Sequence, residues 1–163
     1  MTAREEPPII VRRAADDDRA AALELISPAT GRGRASQTLL RAHQGILWVA
    51  VAREERAEML VGLLLATAQV DAEAEEVAGY IHELLVHPAF RRRGVAMELL
   101  DAAERYFLDE SDFSTVLVTT SFDNDAAIRL YRSRGYTLSQ ARLAKRRGST
   151  QDVNGANGRS DDA

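Results

Sequence analysis

The stretch from Tyr80 to Phe107 constrains the fold of this chain more than any other, because the apolar pattern changes period within it. Tyr80 to Val86 reads as a strand that Pro88 ends: proline cannot donate to a ladder and drives the residue before it out of the helical region. Beyond it, Val95, Leu99, Ala102 and Tyr106, joined by Ala96, Leu100, Ala103 and Phe107, form a broad apolar stripe at i, i+3, i+4 spacing. That stripe predicts the clearest helix in the chain. Strand and helix are joined by Arg91-Arg92-Arg93-Gly94-Val95-Ala96. The first backbone N–H groups of such a helix lack internal partners and sit at the positive end of its dipole. Gly94 removes the Cβ that would hold a ligand away, and Ala96 is small. The loop is therefore a candidate cradle for a phosphate or pyrophosphate. The alternative is a tight turn at Gly94 with three solvated arginines.

The remaining pattern supplies an α/β domain. Ile9 to Arg12 is a short β-rich run, and one of Asp16, Asp17 or Asp18 caps a helix through Ile26. Pro28 to Gly33 is a break, and Ser36 opens a second helix to about His43. Ile46–Ala52 and Leu60–Gln69 read as strands separated by an acidic turn from Glu54 to Glu58, with a further loop from Glu73 to Glu76. Thr115 to Thr120 is a β-branched strand. Asn124 caps a helix from Asp125 to Arg134, Gly135 stands just past its end, and a last short strand runs from Thr137 towards Leu143. The order β, α, α, strands, then β-α-β-α-β implies an α/β domain with a mixed sheet. Residues 1–8 read as a polar leader, 9–146 as one domain, and 147–163, rich in Gly, Asn, Ser and Asp without apolar periodicity, as a disordered tail.

Composition removes several functional classes. The chain has no cysteine, which excludes disulfides, thiolate metal sites and cysteine nucleophiles and suits a cytoplasmic setting. No apolar run approaches the roughly 20 residues that span a bilayer, so no membrane role is expected. A formal net charge of −4 argues against general nucleic-acid binding. His43, His87 and the acidic turns lack metal-ligand spacing, so no metal is expected. Neither Gly-x-x-x-x-Gly-Lys-Ser/Thr nor Gly-x-Gly-x-x-Gly occurs, which argues against nucleoside triphosphatases and dinucleotide enzymes. Trp48, in a β-rich run, is expected in the core or a cleft wall.

Two motifs in order then point to a family. Glu83-Leu84-Leu85-Val86-His87-Pro88-Ala89-Phe90-Arg91-Arg92-Arg93-Gly94-Val95-Ala96 resembles motif A of the GNAT N-acetyltransferase superfamily, a Val-x-Pro strand exit followed by Gln/Arg-x-x-Gly-x-Gly/Ala. Asn124-Asp125-Ala126-Ala127-Ile128-Arg129-Leu130-Tyr131-Arg132-Ser133-Arg134-Gly135-Tyr136 resembles motif B, Asn-x-x-Ala-x-x-Leu-Tyr-x-x-x-Gly-Phe/Tyr. The correspondence is close from Tyr80 to Tyr136 and weak before it. The resemblance implies a mostly antiparallel mixed sheet flanked by helices, with central strands that splay apart to admit a pantetheine arm. It implies acetyl-coenzyme A as cosubstrate, an amine acceptor and direct attack in a ternary complex; a homodimer is also compatible. By resemblance, the backbone of Leu84, Leu85 and Val86 pairs with pantetheine, Arg91, Arg92, Arg93, Gly94, Val95 and Ala96 hold the pyrophosphate, and Asn124 and Tyr131 lie near the thioester.

The chemistry then needs an acid for the departing thiolate and a group that handles the amine. Tyr131 is the candidate general acid, the alternative being that it only packs against Tyr136. Glu83 is the candidate base or ammonium-binding group, since a carboxylate in an apolar strand is costly to bury unless it is paired. Its alternative is a structural pair with an arginine or a wet edge. Strict alternation places Ile81, Glu83 and Leu85 on one face and Tyr80, His82, Leu84 and Val86 on the other, so His82 ranks behind Glu83 as a base. Thr119 stands five residues before Asn124, where enzymes acting on ribosomal-protein N-termini carry Glu. A small cationic amine is therefore the first expected acceptor and a protein N-terminal or lysine amine the second, with helices around Ser27 to His43 walling the acceptor cleft. A non-catalytic acyl-coenzyme A sensor or assembly module is the competing class, and transfer of a longer acyl group a third reading.

Overall fold

The computed structural model describes residues 7–26, 34–54, 57–71, 75–111 and 113–138. Its contacts fall into two compact units, Met1–Thr120 and Ser121–Ala163.

In the first unit, five strands form one sheet in the order β1-β2-β3-β4-β5: β1 Ile9–Arg13, β2 Ile46–Glu54, β3 Ala57–Asp71, β4 Glu76–Val86 and β5 Thr115–Val118. The first three pairings are antiparallel and β4 pairs with β5 in parallel, as a mixed, mostly antiparallel sheet requires. Helices α1 (Asp18–Ile26) and α2 (Arg34–Arg41) cover one face, where Ala22, Ile26 and Leu40 pack with Leu47, Val49, Val51, Leu63 and Leu65. Helix α3 (Val95–Glu104) covers the other face, with Val95 and Leu99 lying over Gly62. Burying both faces explains why β2 and β3 read as near-continuous apolar runs rather than alternating ones.

Several boundaries differ from the sequence reading. Glu58 and Glu76 belong to strands, since β3 and β4 extend past the acidic turns and pair out to Asp71↔Glu76. The charged ends are tolerated because Glu58 accepts from Arg53 at 2.7 and 3.0 Å. Ser36 does not open α2 but is its third residue, buried at 5% exposure. The long helix passes into a π-helical turn at Arg105–Glu110. This widened turn presents the consecutive Tyr106 and Phe107 together to the Trp48 ring, at 5.6 and 5.9 Å. Trp48 is a core residue, 3% exposed, with the Arg13 guanidinium 4.9 Å above its ring. The Pro28–Gly33 break and most of the expected 137–143 strand lie outside the described residues; Thr137 and Leu138 carry no strand.

Phe107 reaches the sheet at Gly79, where an added Cβ would lie 2.5 Å from the ring. Gly79→Ala is therefore expected to destabilise the protein by roughly 1–3 kcal/mol through overpacking. Thermal unfolding checks this, with an expected fall in Tm of roughly 2–12 °C for a chain of this size.

The second unit contains α4, Asp125–Ser133. Asn124 caps it as expected, its Oδ1 accepting from the Ala127 N–H at 3.2 Å. Gly135 follows the helix end at φ +86°, and the Tyr136 N–H closes the turn on the Tyr131 carbonyl at 3.1 Å.

Candidate active site

Two irregularities in β4 build the site. The first lies on the β5 side. Parallel pairing runs from Ala78↔Thr115 to Ile81↔Val118 and stops there. On the β3 side β4 continues through Leu84↔Leu64, Leu85↔Leu63 and Val86↔Gly62. Among the described residues, the β5-facing backbone edge of Glu83 to Val86 is therefore left without a strand partner. An edge of that kind accepts an extended chain by strand addition.

The second irregularity is a bulge. Leu65 opposes Glu83 while the next residue, Ala66, opposes Ile81, so His82 is the extra residue on β4. Opposed residues share a face. Glu83 and Leu85 thus lie with Leu65 and Leu63 under α1 and α2, whereas Ile81 lies with Ala66 on the α3 face. This corrects the expected alternation, which placed Ile81 with Glu83 and His82 opposite to it. The His82 Nε2 meets Thr67 Oγ1 at 2.7 Å, and Thr67 opposes Tyr80, so Tyr80, His82 and Glu83 all present on one face. The Tyr80 and His82 rings are 4.8 Å apart, and the Tyr80 hydroxyl is hydrogen-bonded to Thr119 Oγ1 at 2.5 Å. Thr119, unable to act as a base, anchors this phenol. Burial pushes the His82 imidazole below its ordinary pKa, because the charged form is the one that desolvation penalises.

Glu83 is half-buried, and among the described residues no arginine pairs with it. Its Oε2 accepts from Ser36 Oγ of α2 at 2.9 Å. Ser36 and Thr67 are thus two residues of the site that reading the sequence missed. A serine inside a helix and a threonine in an apolar strand carry no signal until the strands and helices are paired.

The loop after β4 is a short 3-10 turn, Pro88–Phe90, capped by His87 Nδ1, which accepts from the Ala89 N–H at 3.3 Å. Arg91 Nε donates to the Val86 carbonyl at 3.3 Å, and the Arg93 guanidinium lies 5.0 Å from the Phe90 ring. Arg92 adopts φ +64° and Gly94 φ +80°, and Arg91 to Gly94 are exposed. No side chain caps α3 at Gly94, and a Cβ added there would meet nothing within 4 Å. A helix start with open space over its backbone and three arginines before it fits a pyrophosphate. In the second unit, Tyr131 is buried at 9% exposure with its ring 5.4 Å from that of Tyr136, the contact that the alternative reading of Tyr131 requires. The side-chain oxygen of Asn124 is engaged in its cap.

An open strand edge thus leads into an uncapped helix start with open space at Gly94. The Acetyltransferase (GNAT) family model matches residues 12–136, and the chain belongs to that family and is an acetyltransferase. No curated protein sequence matches it. Among solved structures it is similar to an aminoglycoside acetyltransferase, meta-AAC0020, from an uncultured soil metagenomic sample, at 22% identity and TM-score 0.64, covering 85% of this chain and 94% of that one. It is also similar to the aminoglycoside N-acetyltransferase AAC(6')-Iy, in complex with a bisubstrate analogue of coenzyme A, at 17% identity and TM-score 0.69, covering 86% and 98%. A transcriptional regulator from Bacillus halodurans C-125 is similar at 21% identity and TM-score 0.68, covering 85% and 99%. At these identities the likeness is one of fold.

Proposed function

We propose that this chain transfers the acetyl group of acetyl-coenzyme A to the amine of a small cationic molecule, by direct attack and without an acyl-enzyme. The observation that carries the reading is the edge of β4 from Glu83 to Val86, released from β5 after Ile81 and leading into the Gly94 loop. Leu84, Leu85 and Val86 supply backbone groups along the pantetheine arm, while Arg91, Arg92, Arg93 and the N–H groups from Gly94 to Ala96 take the pyrophosphate. Asn124 and Tyr131 are assigned to the thioester end by their place in the second motif. The Tyr131 phenol gives its proton to the sulfur as the C–S bond breaks and the C–N bond forms.

Glu83 favours a cationic acceptor. Its carboxylate is held by Ser36 on the face that α1 and α2 cover, and it carries no arginine partner among the described residues. A carboxylate so placed attracts an ammonium group. The aminoglycoside enzymes of similar fold are consistent with polycationic amines as a starting set.

The test is a panel of polyamines, aminoglycosides and short peptides at saturating acetyl-coenzyme A, following free thiol. The polycationic amines are expected to exceed peptides by at least tenfold in kcat/KM; the reverse order would transfer the proposal to protein amines. A second reading, a coenzyme A-binding sensor, draws on the likeness to the solved transcriptional regulator. Cofactor binding without thiol release across the panel would favour it.

A further inference from the structure

We infer that His82, placed beside Glu83 by the β4 bulge, is the group that takes the proton from the acceptor ammonium, while Glu83 binds that ammonium. The inference rests on the N-acetyltransfer reading above and divides between two residues the roles that the sequence assigned to one.

Three geometric observations support the division. First, the bulge turns His82 onto the face of Glu83, where an unbroken strand would have turned it away. Second, the imidazole is fixed on both sides. Thr67 Oγ1 holds Nε2 at 2.7 Å and the Tyr80 ring lies 4.8 Å away, itself tethered to Thr119. Third, the Glu83 carboxylate accepts a hydrogen bond from the buried Ser36, which orients it towards a cation. On this face Tyr80 and Glu83 come from β4 and Thr67 from β3, with Thr119, just past β5, on Tyr80 and Ser36 of α2 on Glu83, and Glu83 is the charged group among these. Desolvation keeps the imidazole neutral at neutral pH, the state a base needs.

In the tautomer that serves a base here, Nε2–H donates to Thr67 Oγ1 and the Nδ1 lone pair is the acceptor; no described residue hydrogen-bonds to Nδ1. Nδ1 removes one proton from the bound ammonium, and the neutral nitrogen then attacks the thioester carbonyl carbon. The C–N bond forms, the C–S bond breaks, and the thiolate takes the phenol proton of Tyr131. The second nitrogen proton restores the phenol. One proton in all leaves, from His82 to solvent, as conversion of an ammonium and a thioester to an amide and a thiol requires.

The experiment compares His82→Gln and Glu83→Gln with the native enzyme, alongside the NMR titration of the three histidines of the chain. His82→Gln is expected to lower kcat by about 10²-fold or more with the acceptor KM unchanged, and to remove the acidic inflection of kcat. Added imidazole should restore part of the rate in His82→Ala. Glu83→Gln is expected mainly to raise the acceptor KM. In the native protein the His82 imidazole should titrate below about 6.5 with the proton on Nε2, and Thr67→Val should disturb both.

Native kcat in His82→Gln, or an imidazole that titrates above that value, would overturn the inference. Failure of the native enzyme to release thiol with any amine would instead overturn the N-acetyltransfer reading, while the NMR result would still report the state of His82.

Discussion

Gly94→Glu is expected to raise the Kd for acetyl-coenzyme A by close to three orders of magnitude while leaving the protein folded. The backbone at Gly94 is left-handed, at φ +80°, and the space above it is open. A non-glycine residue there costs about 1–2 kcal/mol. A carboxylate at a helix N-terminus recovers about 0.3–1 kcal/mol of that, so the net loss of stability stays near 1 kcal/mol. The effect on binding is far larger. A negative charge about 4 Å from a pyrophosphate oxygen costs about 4 kcal/mol at an effective dielectric of about 20, close to a thousandfold in Kd. Gly94→Ala introduces the same backbone strain without the charge and should weaken binding much less. Calorimetric titration of both variants separates the two effects, and native affinity in Gly94→Glu would refute the placement of the pyrophosphate.

Tyr131→Phe should produce the second large effect, a fall in kcat of about 10²–10⁴-fold, with little change in the Kd for acetyl-coenzyme A. The substitution keeps the ring that packs 5.4 Å from Tyr136 inside the helix-end turn, so the fold should be retained. Single-turnover kinetics distinguish the outcomes. A variant that transfers acetyl at the native rate would show that Tyr131 serves packing alone, and one that loses cofactor binding would make it a binding residue.

What could be read before the strands were paired was whatever local backbone chemistry dictates. Pro88, Gly94, Asn124 and Gly135 each mark a place where the chain must end a strand, open a helix or leave one, and each does so. The stripe from Val95 to Phe107 likewise fixes which side of α3 is buried, although not the π-helical turn at its end. That turn answers to Gly79 and Trp48, residues far away in the chain. The bulge escaped for the same reason. Whether His82 follows strict alternation depends on its register against Leu65 and Ala66, and nothing in Tyr80 to Val86 states it. The Ser36–Glu83 contact joins residues 47 apart in the chain. Thus the proposed anion-binding end of the site lies in contiguous sequence, while the proposed acceptor end is assembled by tertiary pairing, and there strict alternation misplaced His82.

The proposed reaction makes an amide by direct transfer of the acetyl group to an amine. Mass analysis of the products, with a preferred cationic amine at saturating acetyl-coenzyme A, tests it most directly. Direct transfer yields one N-acetylated amine per free thiol, formed without any acetylated protein along the way. Thiol release without acetylated amine, or acetyl found on the chain and then passed to the acceptor, would contradict it.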